Sequence, residues 1–132
     1  MKLLPMIFAL ALTGCIKDET VSGYSNTDTV WRLVEIDGAA TSEIVTLQFP
    51  EKGRISGKAP CNRYFGAQTV PYPWFKAEAV GSTKMACPNL SAEAAYFSAL
   101  QDMSLAEVSG DTLILSNDAG RSLVFKAQDS IQ

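Results

Sequence analysis

Three cysteines and no histidine set the chemistry open to this chain of 132 residues. The missing histidines remove the usual general base, the usual zinc ligand and the partner of most Ser or Cys nucleophiles, so triads built on His are excluded. Cys61 and Cys87 lack the close Cys-x-x-Cys spacing of redox centres, and two thiols without His do not complete a tetrahedral metal set. Asn62, Arg63 and Tyr64 follow the first of them. Arg63 could recognise a carboxylate or phosphate and Tyr64 could stack on a ligand; the plainer reading has Asn62 satisfying backbone groups and Arg63 at the surface. Tyr64, Phe65, Tyr72, Trp74 and Phe75 would line an apolar pocket or fill a core. Glu78, Glu93 and Asp102 offer carboxylates, but nothing in their spacing pairs them for acid–base work. The expectation is no catalytic, cofactor-binding or metal site, with Arg63, Tyr64, Tyr72 and Trp74 as candidate surface contacts.

The third cysteine has a different setting. Lys2 precedes a short apolar run, Leu3 to Leu12, laid out like a secretory signal and too short to span a bilayer, which takes about 20 apolar residues. Its end, Leu12-Thr13-Gly14-Cys15, resembles the bacterial lipobox, in which the cysteine thiol receives a diacylglyceryl group before cleavage. Residues 1–14 are then a lipoprotein signal peptide and Cys15 the lipid attachment point, with enough acyl chains for stable anchoring. Ile16, in place of the Asp that signals inner-membrane retention, favours an outer-membrane anchor facing the periplasm. In that oxidising compartment, with Cys15 lipidated, an even pair remains, and a Cys61–Cys87 disulfide is the expected state. A redox-active pair and two free buried thiols are its rivals. Closing a loop of about 27 residues is worth about 3 to 4 kcal/mol in the chain-entropy account.

Composition narrows the partners. The hydrophobic share of 47% and charged share of 19% fit a single globular domain. A net charge of -3 and a pI near 4.8, with no cluster of Lys or Arg, exclude a nucleic-acid partner. A monomer is expected.

The elements that must position these residues are mostly strands. Residues 15–29 are polar and aperiodic and read as a lipidated flexible tether about 20 Å in reach. An edge strand near Val21 is the alternative. Strands are expected at 30–36, at 44–49 with Val45, Leu47 and Phe49 on one face, and at 54–57, the last two forming a hairpin across Pro50-Glu51-Lys52-Gly53. Residues 64–70 and 74–80 continue the sheet around Pro71 and Pro73, which cannot donate to a ladder. One helix is expected from Ser91 to Met103, with Ser91 as N-cap and Leu90, Ala94, Phe97 and Leu100 on one stripe. Strands at 105–108, 112–115 and 122–126 close the domain through hairpins at Gly110-Asp111 and Asn117 to Gly120. The fold class is mainly β (α+β), a small antiparallel barrel-like sheet with one helix over an opening. Residues 127–132 are a C-terminal tail.

Taken in order, the Trp31-x-Leu33 strand, the Phe49 to Gly57 hairpin, Cys61-Asn62-x-Tyr64-x-Gly66, Thr83-x-Met85-Ala86-Cys87, Glu93 with Phe97 and Leu100, Leu113-x-Leu115 and Leu123-x-Phe125 resemble the META domain family over residues 30–126. Ala59-Pro60 departs from the glycines many members carry before the cysteine. The resemblance implies a β-rich fold with one helix, export and lipid anchoring, no established enzymatic activity, and an association with envelope stress and aminocoumarin tolerance. The motif residues it marks are Asn62, Tyr64, Gly66, Thr83, Met85, Ala86 and Glu93. The expected function is a lipid-anchored, non-enzymatic envelope protein acting through an envelope protein partner. A small apolar ligand in the barrel interior, or a pilot role for an outer-membrane complex, is the alternative.

Overall fold

The computed structural model describes residues 17–130. Cys15, the lipobox and the last two residues therefore lie outside the described residues. The strands are β1 (Trp31–Ile36), β2 (Ala39–Ala40), β3 (Thr46–Leu47), β4 (Gly53–Lys58), β5 (Arg63–Gln68), β6 (Glu78–Ser82), β7 (Leu105–Ser109), β8 (Thr112–Ser116) and β9 (Ser122–Ala127), with buried side chains at every second position of β8 and β9. Two helices join them, a single turn α1 (Val21–Tyr24) and the longer α2 (Leu90–Asp102). One sheet has the order β2-β1-β9-β8-β7 with β3 also on β1, and the other the order β4-β5-β6. Every pairing is antiparallel.

The mainly β fold matches the expectation, and the barrel-like sheet resolves into two sheets that meet at one corner, with the β5–β6 connection bridging to β7 at another. At one corner Leu47 pairs with Trp31 in the larger sheet, while the next residue, Gln48, bridges Ser56 in the smaller. The hairpin expected between 44–49 and 54–57 is therefore a passage from sheet to sheet, held by two hydrogen bonds between Gln48 and Ser56 of 2.7 and 3.0 Å. At the other corner Trp74 bridges Leu105, with Ala106 N donating to Pro73 O at 2.7 Å. The strand expected at 74–80 starts only at Glu78. Gly110, with φ +57°, makes the tight turn between β7 and β8.

Trp31 and Leu33 of β1, Leu113 and Leu115 of β8, and Leu123 and Phe125 of β9 point into one core with Ile55 and Tyr64 of the smaller sheet. The helix closes this core, but not with the stripe its sequence suggests. Glu93, Tyr96, Ala99 and Leu100 are buried, whereas Leu90 and Ala94 are exposed and Phe97 is half-buried. The buried face is rotated because Glu93 finds hydrogen-bond donors inside, so a carboxylate takes a place that hydropathy assigns to the apolar neighbours. The helix begins at Leu90 after Asn89, not at an Ser91 cap.

The expected tether also folds. Val21 is fully buried and Thr20, Ser22 and Ser25 nearly so. Ser25 Oγ accepts the Trp31 indole N–H at 2.8 Å, Tyr72 N donates to Glu19 O at 2.7 Å, and the Tyr24 and Tyr72 rings stack at 4.1 Å. Asp18 accepts from Thr20 N, Thr20 Oγ1 and Ser22 Oγ. Local hydrogen bonds, one valine and two contacts with Tyr72 fix a segment with no periodicity to read. At the other terminus Ala127 belongs to β9, and Gln128 N donates to Val30 O at 2.8 Å, so the tail starts later than expected. Among the described residues no helix is long and apolar enough to cross a membrane.

Candidate functional site

β5 carries the first motif, and its pleat separates the motif residues. Arg63 and Phe65 point outward, Tyr64 inward. Tyr64 is 1% exposed, which overturns its expected role as a surface contact. Its hydroxyl donates to Thr46 O at 2.6 Å and so accepts from Tyr96 Oη at 2.7 Å. Burial pushes both hydroxyls above the ordinary tyrosine range, and for Tyr64 the neighbouring Tyr96 adds to it. Gly57 on the adjacent strand leaves room for this pair. A Cβ there would stand 2.8 Å from Tyr64 Oη and collide with the Thr46 carbonyl.

Immediately before Tyr64, Asn62 joins three segments. Its Oδ1 accepts from Thr83 Oγ1 at 2.9 Å and Met85 N at 2.7 Å, and its Nδ2 donates to Glu93 Oε2 at 2.8 Å and Met85 O at 3.3 Å. Glu93 Oε1 accepts from Asn62 N at 2.6 Å and Cys61 N at 3.1 Å. Thr83 Oγ1 also accepts from Arg63 N at 3.2 Å. The Cys61–Cys87 disulfide closes the same loop, as expected. Burial disfavours a charged Glu93, but the hydrogen bonds from Asn62 and Cys61, with the charge of Lys84, outweigh it and hold the carboxyl below its ordinary value. Asn62, Thr83, Met85 and Glu93 thus form one knot whose polar atoms satisfy each other. Asn62 plays the backbone-satisfying part rather than that of a ligand contact.

The other expected site residues are not brought together. Arg63 lies at the start of β5 and Tyr72 and Trp74 beyond its far end, so they form no common rim. Phe75 is in the core, while Phe65 and Trp74 are 58% and 57% exposed, so the aromatic set does not converge on an interior pocket. Glu78 pairs with Lys76 at 3.2 Å and Asp102 with Arg121 at 2.8 Å, each apart from Glu93. Among the described residues no group of His, Cys, Asp or Glu could hold a metal ion.

What does gather is an open groove of about 380 Å³ beside the knot, walled by Lys84, Met85, Ala86, Leu90, Ala94 and Phe97 with Asn62 and Glu93 beneath. Met85 is 65% exposed and Leu90 45%. Sequence reasoning marked Met85 as a motif residue but placed Leu90, Ala94 and Phe97 against the core. Tyr96 was missed altogether, although its spacing puts it on one helix stripe with Leu100 and the motif residue Glu93.

A two-sheet antiparallel domain with one long helix, locked by an Asn–Glu knot and a disulfide, is the class that these features define. A match to the META domain over residues 25–130 completes the picture, and the chain belongs to that family. Among solved structures, a protein from Burkholderia xenovorans is similar at 26% identity over 82% of this chain and 87% of that one, with a TM-score of 0.64. A second NMR structure, at 21% identity with 80% and 94% covered, gives 0.62. A DUF4847 family protein from Bacteroides vulgatus shares the fold at 12% identity, with 85% and 99% covered and a TM-score of 0.64. No curated protein matches the chain.

Proposed function

We propose that this META domain is a lipid-anchored, non-enzymatic envelope protein, held at the outer membrane through Cys15, that works through contacts with another envelope protein in stress tolerance. The observation that carries the reading is the contrast at the motif. The knot's polar atoms serve each other and leave no free acid, base or nucleophile, while the adjoining groove presents Met85 and Leu90 to solvent. Exposed apolar side chains around a rigid support suit a protein surface better than a reaction. The same groove, with β6 having only β5 as partner in the smaller sheet, also favours the pilot reading, in which a strand or apolar segment of an outer-membrane subunit would add here. A ligand inside the sheets has less support, because Trp31, Tyr64, Phe49 and Phe125 fill that space.

Photo-crosslinking in living cells from Met85 and Leu90 tests the contact. A discrete protein adduct from these positions and none from Arg54 supports it; equal background from all three sinks it. Growth of a deletion strain under heat and aminocoumarin tests the stress role, and an unchanged phenotype under both would remove it.

A further inference from the structure

The smaller sheet has two ends, and they differ. Gly53 pairs with Gln68 at one end of the β4–β5 ladder and Lys58 with Arg63 at the other. Five steps along β5 separate these ends by about 17 Å. The Asn62–Glu93 knot, the disulfide and the Met85 groove stand at the Arg63 end. At the Gln68 end, Lys17, Glu19, Thr20, Lys52, Thr69 and Pro71 line one shallow surface.

The first described residue belongs to that surface. Lys17 Nζ lies 5.0 Å from the centre of the Tyr24 ring, which in turn stacks on Tyr72. From Asp18 onward the backbone is pinned, by the Asp18 bonds to Thr20 and Ser22 and by Tyr72 N on Glu19 O. Only two residue steps lie between Cys15 and Lys17, a reach of at most about 7 Å. A bilayer holding acyl chains on Cys15 would thus meet this end of the domain directly, where a tether of fifteen free residues would not impose any orientation.

We infer that the Lys17–Lys52–Pro71 end is a docking surface for the phospholipid headgroup layer, which turns the knot and the Met85 groove away from the membrane into the periplasm. The inference rests on the lipid-anchor reading. The surface has the chemistry for that layer: Lys17 and Lys52 offer ammonium groups to phosphates, and Tyr24, 45% exposed, and Pro71 supply the amphipathic and apolar contacts that interfaces favour. Of the acids nearby, Asp18 is bonded to Thr20 and Ser22 and lies within electrostatic reach of Lys52, Glu51 pairs with Arg54, and Glu19 is the one left facing out. The position of the surface relative to β5 fixes the orientation, and the orientation places the groove where a soluble or membrane-embedded partner's periplasmic part can reach it.

The full-length protein, purified with its acyl chains and placed in vesicles of phosphatidylethanolamine and phosphatidylglycerol, tests this by lysine labelling with a bulky amine reagent and mass spectrometry. Lys17 and Lys52 should label at least about five-fold more slowly than in a variant carrying a 20-residue Gly/Ser spacer between Ile16 and Lys17, a spacer long enough to lift the domain off the bilayer. Lys58 and Lys84, at the far end, should label equally in both. Equal rates at Lys17 and Lys52 with and without the spacer overturn the docking surface while leaving the anchor intact. A precursor or mature chain without acyl mass on Cys15 overturns the anchor itself, and the orientation with it.

Discussion

The two ends of the smaller sheet are built by opposite means. At the Arg63 end, groups 20 to 31 residues apart in sequence bond to one another, through Asn62, Thr83, Met85 and Glu93. At the Gln68 end, the N-terminal segment is fixed by short-range bonds, Asp18 to Thr20 and Ser22, by one buried valine, and by Tyr72, whose N–H bonds Glu19 O and whose ring stacks on Tyr24. The motifs by which this family is recognised therefore mark the structural lock. The surfaces free to touch something else, around Met85 and around Lys17, sit beside the lock and opposite it.

The largest expected effect breaks the lock. Glu93→Ala strands the amides of Cys61 and Asn62 and one Asn62 side-chain proton in a buried site, and each orphaned donor costs about 1 to 3 kcal/mol, so a loss of about 3 kcal/mol or more is expected in urea unfolding. A loss under about 1 kcal/mol would show that the knot is incidental. Removing the disulfide with Cys61→Ser and Cys87→Ser together should cost about 3 kcal/mol. Because bond and knot both fasten residues 61–62, to Cys87 and to Glu93 just beyond it, combining these changes with Glu93→Ala should cost less than the sum by more than about 0.5 kcal/mol. Strict additivity would mean the two fastenings act independently.

At the other end, Val21→Ala should cost about 2 kcal/mol by emptying a core position, and Ser25→Ala about 1 kcal/mol by orphaning the Trp31 indole N–H. A true tether would register neither. Thermal or urea midpoints read both, and unchanged midpoints would return residues 17–25 to the linker.

How far this contrast was legible beforehand follows from the same physics. β-Branched and aromatic runs bounded by Gly, Pro and Asn turns carry the strand positions, with clean alternation at Val45, Leu47 and Phe49, and Cys61 with Cys87 in an exported setting carries the disulfide. The burial of two kinds of residue escaped. Glu93 and Tyr96 lie on the buried helix face because partners 31 and 32 residues away accept or supply their hydrogen bonds, and hydropathy cannot register a bond whose other half is distant. Thr20 to Ser25 escaped because polar side chains bonded to their neighbours, as Thr20 and Ser22 are to Asp18, look the same in sequence as polar side chains in water. Tyr64 was misplaced for a simpler reason: its ring was grouped with neighbouring aromatics by proximity, when the period of 2 separates it from Phe65.

Titration should separate the ends as well. Glu93 has its carboxyl held below an ordinary value of 4.5, so its contribution is complete above about pH 4.5 and is lost as pH falls through the lower folded value. Tyr64 and Tyr96 are raised, so theirs is complete below the ordinary value of 10.0 and is lost as pH rises from there through the folded values. Stability measured against pH should therefore fall on both flanks. Glu93→Gln should flatten the acid limb and Tyr96→Phe the alkaline one. Limbs unchanged in both variants would move the pH dependence away from the lock, to groups such as Asp18, whose hydrogen bonds also hold it below its ordinary value against the opposing effect of burial.

The smallest effect concerns the strand that runs between the two ends. β6 starts beside Ala67, near the Gln68 end, and finishes with Ser82 beside Tyr64, from where the chain delivers Thr83 and Met85 to Asn62. Its register shifts between Phe65 and Ala67, and there Ala79 holds φ +51°, a left-handed conformation that costs a residue with a Cβ about 1 kcal/mol. Ala79→Gly should therefore stabilise the domain by up to about 1 kcal/mol, whereas Ala79→Val should destabilise it by more than that. If the shift serves to bring Thr83 and Met85 into register with Asn62, the glycine variant keeps the amide protons of Asn62 and Met85 as slow to exchange as in the parent. Faster exchange at those two amides, with the rest of β5 unchanged, would mean that the strained alanine positions the lock, and that the two ends are mechanically coupled through β6.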